Sequence, residues 1–182
     1  MKGIVFTEFL DMVAQRFGDN LVDDMIADAH LPHGGAYTSV GTYPHGEMVA
    51  LVTSMSGRTQ LSVDALLETF GHHLFGRFYQ RYPQFMDSTN DPLDFLMGIE
   101  TIVHTEVRKL YPDAQLPEFA TRRISAHEIA MDYRSAHDFS SLALGLIKGC
   151  AEHYRCELAV SRSSAVKLAQ GVAVDFLVKR HG

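Results

Sequence analysis

The chain predicts an α+β fold: several helices, a strand pair, one further helix and a second strand pair, giving a four-stranded antiparallel sheet. Three observations carry this. Apolar residues recur at three- and four-residue spacing from Val5 to Tyr111, and after Pro117 the period changes to alternation. No internal repeat or low-complexity linker divides the 182 residues, so the chain reads as one compact unit.

Val5, Phe6, Phe9, Leu10, Met12, Val13 and Phe17 form the apolar side of a first helix that Gly18 ends. A short second helix runs from Asp19 to about Ala29. The stretch HLPHGGAYTSVGTYPHG is dense in Gly, Pro and Ser and reads as a loop. Helical spacing resumes around Glu47 to Met55 and from Ser62 to about Phe78. A longer helix begins at Asp91 and Pro92 and continues to about Tyr111, where Pro112 stops it. Residues 118–124 and 127–135 read as strands joined by a tight turn around Ser125 and Ala126. Residues 138–154 return to helical spacing, and CELAV from Cys156 and GVAVDFLV from Gly171 supply the closing strands.

Composition excludes several classes of function. A net charge of -6, with no run of Lys or Arg interleaved with aromatics, argues against nucleic acid as a partner. The opening MKGIVFTEFLDMVAQRFG is broken by Glu8, Asp11 and Gln15, unlike a signal peptide, and no stretch approaches the roughly 20 apolar residues of a membrane span. The expected location is therefore cytoplasmic, without membrane contact. The 2 cysteines, Cys150 and Cys156, have no zinc-type spacing and read as reduced thiols.

Strand alternation sorts residues 128–135 onto two faces. Ile129, Met131, Tyr133 and Ser135 share the apolar face; Glu128, Ala130, Asp132 and Arg134 share the charged one. Hydroxyls on a core face need partners, which are either backbone carbonyls or a bound polar group. In the long helix, Leu96, Ile99, Val103, Val107, Leu110 and Tyr111 form an apolar arc, and His104 falls inside its edge. A core histidine is satisfied by a hydrogen bond or by a metal, and spacing alone leaves both open. His72 and His73 are adjacent and diverge on a helix, while His30 and His33 lie in a loop and read as surface residues. Gly-x-Ser-x-Gly, phosphate-loop and HExxH motifs are all absent, so no hydrolase or nucleotide-binding reading is supported.

Taken together, these segments resemble the H-NOX family, the heme-nitric oxide/oxygen binding domains related to the sensor region of soluble guanylate cyclase. MKGIVFTEFLDMV is similar to the family's first helix, and LMGIETIVHTEVRKLYPDAQLP to its proximal helix and following loop. YRSAH stands at its Tyr-x-Ser-x-Arg signature, and LGLIKG at its closing helix-to-sheet region. The resemblance spans essentially the whole chain in the right order.

It implies a helical lobe over about residues 1–60 and a heme-ligating α+β lobe over about 61–182, with heme b (iron protoporphyrin IX) between them. His104 would be the axial iron ligand. Tyr133 and Ser135 would bond the propionates, and Pro117 would press on the porphyrin. Val5, Phe9, Leu74, Phe78 and Leu146 would line the distal side or the heme edge. Leu142 stands where oxygen-holding members place a tyrosine, so nitric oxide and carbon monoxide are expected as ligands and stable oxygen binding is not. The resemblance also implies a sensor rather than an enzyme: release of His104 would move the lobes, and a histidine kinase or a cyclic-di-GMP enzyme would read the movement in trans.

One departure stands out. His137 occupies the place of the signature arginine, so a permanent planar cation is replaced by a shorter, mostly neutral ring. Pairing with a propionate would then depend on its protonation, and heme retention would weaken at higher pH. Arg134 is on the wrong face to substitute. A heme-free interaction domain with the same fold is the alternative reading, whereas a heme peroxidase would need a distal acid–base pair that is not recognisable here.

Overall fold

A computed structural model describes residues 1–181. The helices are α1 (Gly3–Phe17), α2 (Asp19–Ala29), α3 (His45–Thr59), α4 (Val63–Arg81), α5 (Pro83–Met86), α6 (Pro92–Met97), α7 (Thr105–Leu110) and α8 (Ser140–His153). The strands are β1 (Glu118–Ser125), β2 (Glu128–Ser135), β3 (Leu158–Arg162), β4 (Val166–Lys167) and β5 (Val172–Arg180). The expected α+β order is present, and the sheet is antiparallel throughout.

Two features differ from the expectation. The sheet has 5 strands, ordered β1-β2-β5-β3, because the short β4 also pairs with β5. β3 and β4 lie along the same edge of β5, with Arg162 opposite Phe176 and Val166 opposite Ala173, so the intervening residues bulge out of the ladder. The long helix from Asp91 to Tyr111 is not continuous either. After α6 the chain winds into a π-helix over Ile99–His104 before α7 begins. The Thr105 hydroxyl, 3.0 Å from the Glu100 carbonyl oxygen, caps this wider turn. Apolar spacing does not register such a change of pitch, and π-turns inside helices occur frequently at functional sites.

The helices form where the sequence supplies starts and stops. Gly18 joins α1 to α2 at φ 90°, a conformation that side chains with a Cβ resist. Ser62 caps α4 by accepting the Ala65 N–H, and Asp91 caps α6 by accepting from Leu93 and Asp94 ahead of Pro92 at the first helical position.

Two apolar clusters make the interior. The first gathers Phe6, Phe9, Met12, Met25, Met48, Leu51, Met55, Phe70 and Leu74 from α1 to α4. The second joins Leu93, Phe95 and Leu96 of α6 to Ile147 and Cys150 of α8 and to the inner sheet residues Ile129, Met131, Tyr133, Val174, Phe176 and Val178. Phe78 and Leu146 touch both clusters, so α4 and α8 are the elements that join them. An ion-pair network adds to this frame: the buried Glu8 of α1 accepts from Arg77 Nε at 2.6 Å and from Arg81 Nη2 at 2.9 Å, both on α4. The two arginine side chains reach it from the surface, so solvent screens the pairs from their side.

α4 and α8 approach closely because glycine faces glycine. A Cβ on Gly71 would collide with the Leu142 carbonyl oxygen, and one on Gly145 with the Glu68 carbonyl oxygen. Backbone cannot yield as a flexible side chain does. Gly145→Ala is therefore expected to lower unfolding stability by about 1–3 kcal/mol in urea titration. Gly57→Ala, on an exposed position of α3 with no neighbour within 4 Å, should instead raise it by about 0.5–1 kcal/mol.

Candidate functional site

His104 closes the π-helix and is 9% exposed. Its Nδ1 lies 2.7 Å from Glu100 Oε1, one turn earlier. The same Oε1 accepts the backbone N–H of Phe119 at 3.0 Å, and Glu100 Oε2 accepts from Arg108 Nη2 at 3.3 Å. Burial works to raise the Glu100 carboxyl, but the hydrogen bonds from His104, Phe119 and Arg108, with the attraction of His104, outweigh it and hold the group below its ordinary value. Burial also pushes the His104 imidazole below the ordinary histidine value, against the pull of Glu100. A carboxylate that already accepts from Phe119 and Arg108 can only accept from Nδ1 as well, and burial favours the neutral imidazole. Nε2 then carries the lone pair, and it has no hydrogen-bond partner among the described residues.

Aromatic contacts lead from this histidine to the β2 residues. The Phe119 ring lies 6.0 Å from His104 and 5.5 Å from Tyr133, centre to centre. Phe119 faces Tyr133 in the β1–β2 register, so strand pairing fixes that contact. Alternation along β2 runs as the sequence predicts: Ile129, Met131 and Tyr133 are buried and Ser135 half-buried, while Asp132 and Arg134 are exposed. Burial raises the Tyr133 phenol, which stays protonated. Its hydroxyl donates to the His137 carbonyl at 3.2 Å and accepts the Phe139 N–H at 3.3 Å. Ser135 Oγ accepts the His137 N–H at 3.4 Å and its hydroxyl lies against that of Tyr133. The two hydroxyls thus hold the turn between β2 and α8.

The His137 ring stacks on the ring of His45, with centres 3.1 Å apart and planes 14° apart. His45 opens α3, so this contact ties the N-terminal helices to the end of β2. Burial, then the neighbouring His137 and the N-terminal amine, push His45 below the ordinary histidine value.

The remaining expected residues fall into an ordered arrangement. Phe9 and Leu74 are buried in the first cluster, and Val5 and Leu142 pack against it. Pro117 is half-buried immediately before β1, two residues ahead of Phe119. Glu100, Phe119 and His45 are the site residues that sequence reasoning missed. The four-residue separation of Glu100 and His104 was a usable signal for the first; nothing local signals His45. His33 is exposed as predicted, yet its Nδ1 lies 2.5 Å from Oε1 of the buried Glu47, a carboxylate that also accepts from the Tyr37 hydroxyl at 2.8 Å. His72 and His73 diverge as predicted: His72 pairs with Glu152 at 2.6 Å and His73 Nε2 is buried without a partner. Among the described residues no group of three or more His, Cys, Asp or Glu is placed to hold a metal ion, so a protein-only metal cage is not formed here.

A family model described as haem-NO-binding matches residues 2–162. The chain belongs to the H-NOX family. Among solved structures, the Fe(II) unliganded H-NOX protein of K. algicida shares 38% identity at a TM-score of 0.92, covering 100% of this chain and 97% of that one. The S. oneidensis H-NOX protein in the Fe(II)NO ligation state shares 25% identity at 0.90, covering 100% of both chains. A point mutant of T. tengcongensis H-NOX, at 19% identity and 0.89, covers 100% of this chain and 98% of that one and shows the fold alone. No curated protein matches the chain. H-NOX domains are heme-based gas-sensor domains, and the donor set here fits a heme: one buried neutral imidazole with a free Nε2, oriented by a carboxylate through its other nitrogen.

The histidine stack makes stability depend on pH. A folded-state value below the ordinary one means that the unfolded chain binds the proton more readily. The contribution is therefore present above about pH 6.5 and lost as pH falls through the lowered value. Thermal melts are expected to show stability falling from pH 7 to pH 5, with a shallower fall in His45→Phe, which keeps the stacked ring and cannot protonate.

Proposed function

We propose that this H-NOX domain is a nitric oxide sensor that holds ferrous heme b through His104. The observation that carries the reading is the state of that side chain: buried, neutral, held by Glu100 through Nδ1 and unpartnered at Nε2. When bound, the heme would supply an iron that a histidine can hold and that can take up a diatomic gas. His104 is the residue that would hold it. Ser135, half-buried beside Tyr133 and His137, would hold a propionate together with Tyr133. Pro117 would pack against the porphyrin, and Val5, Phe9, Leu74, Phe78 and Leu146 would line the distal side or the heme edge.

The preference for nitric oxide and carbon monoxide follows from the lack of a free donor. Leu142 is half-buried against the first cluster and offers none. Of the tyrosines packed against that cluster, Tyr37 donates its proton to Glu47, and Tyr43 is held by the Thr38 N–H at 2.8 Å. Oxygen, which acquires negative charge when bound, gains from a donor; nitric oxide does not need one.

Signalling would start at His104. Once freed, its helix can shift against the loop after α7, which is fastened to the N-terminal segment: Lys2 Nζ lies 3.5 Å from Asp113 and 4.9 Å from the Tyr111 ring centre, and Thr42 donates to Asp113 at 2.6 Å. A histidine kinase or a cyclic-di-GMP enzyme is the partner we infer, acting in the cytoplasm. No helix of the described residues is long and apolar enough to cross a membrane. The second reading, a heme-free interaction domain, is favoured by one observation: the Tyr133 donor and the His137 ring are committed within the protein.

An absorption spectrum of heme-supplied protein separates the two. The sensor reading expects a Soret band that shifts with nitric oxide and carbon monoxide, shows no reversible shift with oxygen, and is lost or displaced in His104→Ala. A wild type that takes up no heme would establish the second reading instead.

A further inference from the structure

We propose that Glu100 is the positioning residue that sets His104 as a ligand and couples its displacement to the sheet. The inference rests on reading His104 as the axial ligand. Glu100 Oε1 receives two groups at once, His104 Nδ1 at 2.7 Å and the Phe119 N–H at 3.0 Å, while Oε2 receives Arg108 at 3.3 Å. An oxygen that already accepts a backbone N–H, on a carboxylate paired with a guanidinium, can only accept from the ring as well. The imidazole proton is thereby placed on Nδ1 and the lone pair on Nε2.

Two consequences follow. A carboxylate on the far nitrogen makes the near one a stronger donor and fixes the ring plane, more so than a neutral carbonyl would. The carboxylate also joins three elements: the π-helix that carries His104, α7 through Arg108 on Oε2, and the first residues of β1 through Oε1. A ring that moves with Glu100 must drag the Phe119 N–H or break its bond. Phe119 faces Tyr133 across the β1–β2 ladder, so the movement reaches the turn that Tyr133, Ser135 and His137 hold together. The π-helix suits this task, because its wider hydrogen-bond ring has a neighbouring α-helical winding to relax into.

The test uses the full chain with E100Q, which keeps an acceptor and loses the charge, and E100L, which loses both. In heme-free protein, nitrogen NMR of labelled histidine should place the His104 proton on Nδ1 in the wild type and move it to Nε2 in E100L. The same tautomer in both would overturn the proposal, and thermal melts of E100L check that the comparison is between folded proteins. In ferrous heme-loaded protein, the iron–histidine stretching frequency should drop in E100Q, and amide exchange at Phe119 should quicken at least tenfold in E100L while Met131 stays protected. An iron–histidine line present in the wild type but unmoved in E100Q overturns the role of Glu100 alone. Absence of that line from the wild type refutes axial ligation by His104, and with it the reading above.

Discussion

The close crossing of α4 and α8 is the constraint on which the molecule depends. Gly71 meets the α8 backbone and Gly145 the α4 backbone, and Gly149 admits the Phe75 side chain, so two helices lie nearly in backbone contact along several turns. Every larger residue at these places would push the helices apart. Because α4 carries Phe70 and Leu74 into one cluster and Phe75 into the other, and α8 carries Ile147 and Cys150 into the second with Leu146 touching both, the crossing sets the distance between the two interiors. Polar contacts reinforce it: Arg162 of β3 reaches Ser141 Oγ at 2.6 Å, and Ser141 donates to Asp64 of α4 at 2.6 Å. The sheet, α8 and α4 are thus held by one chain of contacts.

On that frame the candidate site is assembled from elements distant in sequence. The π-helix supplies His104 and Glu100, β1 supplies Phe119, β2 supplies Tyr133 and Ser135, and α3 supplies His45. Two kinds of attachment link the N-terminal helices to the rest. Glu8 is buried and accepts from two arginines of α4, Arg77 and Arg81, so its charge is doubly paired. Lys2, Thr42 and Asp113 meet near the surface, where an ion pair contributes about 0–1 kcal/mol, a contact that is easily exchanged. The weaker attachment is the one fastened to the loop that follows the His104 helix. A movement beginning at His104 would meet less resistance there than at the α1–α4 contact.

The stacked pair His45–His137 ties the start of α3 to the turn after β2. A guanidinium would bring a fixed charge to the turn after β2, whereas the two rings bring a flat contact between α3 and that turn. The His137 found in the sequence thus meets a partner from the opposite end of the fold.

Much of this was legible in the chain before any coordinates. Apolar spacing set the order and type of the main elements, since a helix or strand face must match the period of its backbone. Alternation in β2 separated Tyr133 and Ser135 from Arg134 correctly, and the arc around His104 placed it inward, because both arguments use only neighbours along the chain. The π-winding of residues 99–104 was not legible, for it leaves the apolar spacing almost unchanged and is decided by hydrogen bonds such as that of Thr105 to the Glu100 carbonyl. Nor was the two-residue β4, which exists only as a ladder on β5. The sequence by itself placed the β2 face and His104 inward, whereas Phe17 and Leu110, also assigned to apolar faces, are exposed at the ends of their helices. Only the tertiary structure decided what meets them: Glu100 and the Phe119 N–H on one oxygen, His45 against His137, and Tyr133 bonded to its own turn. Those contacts join residues from different elements, and no local period encodes their distance.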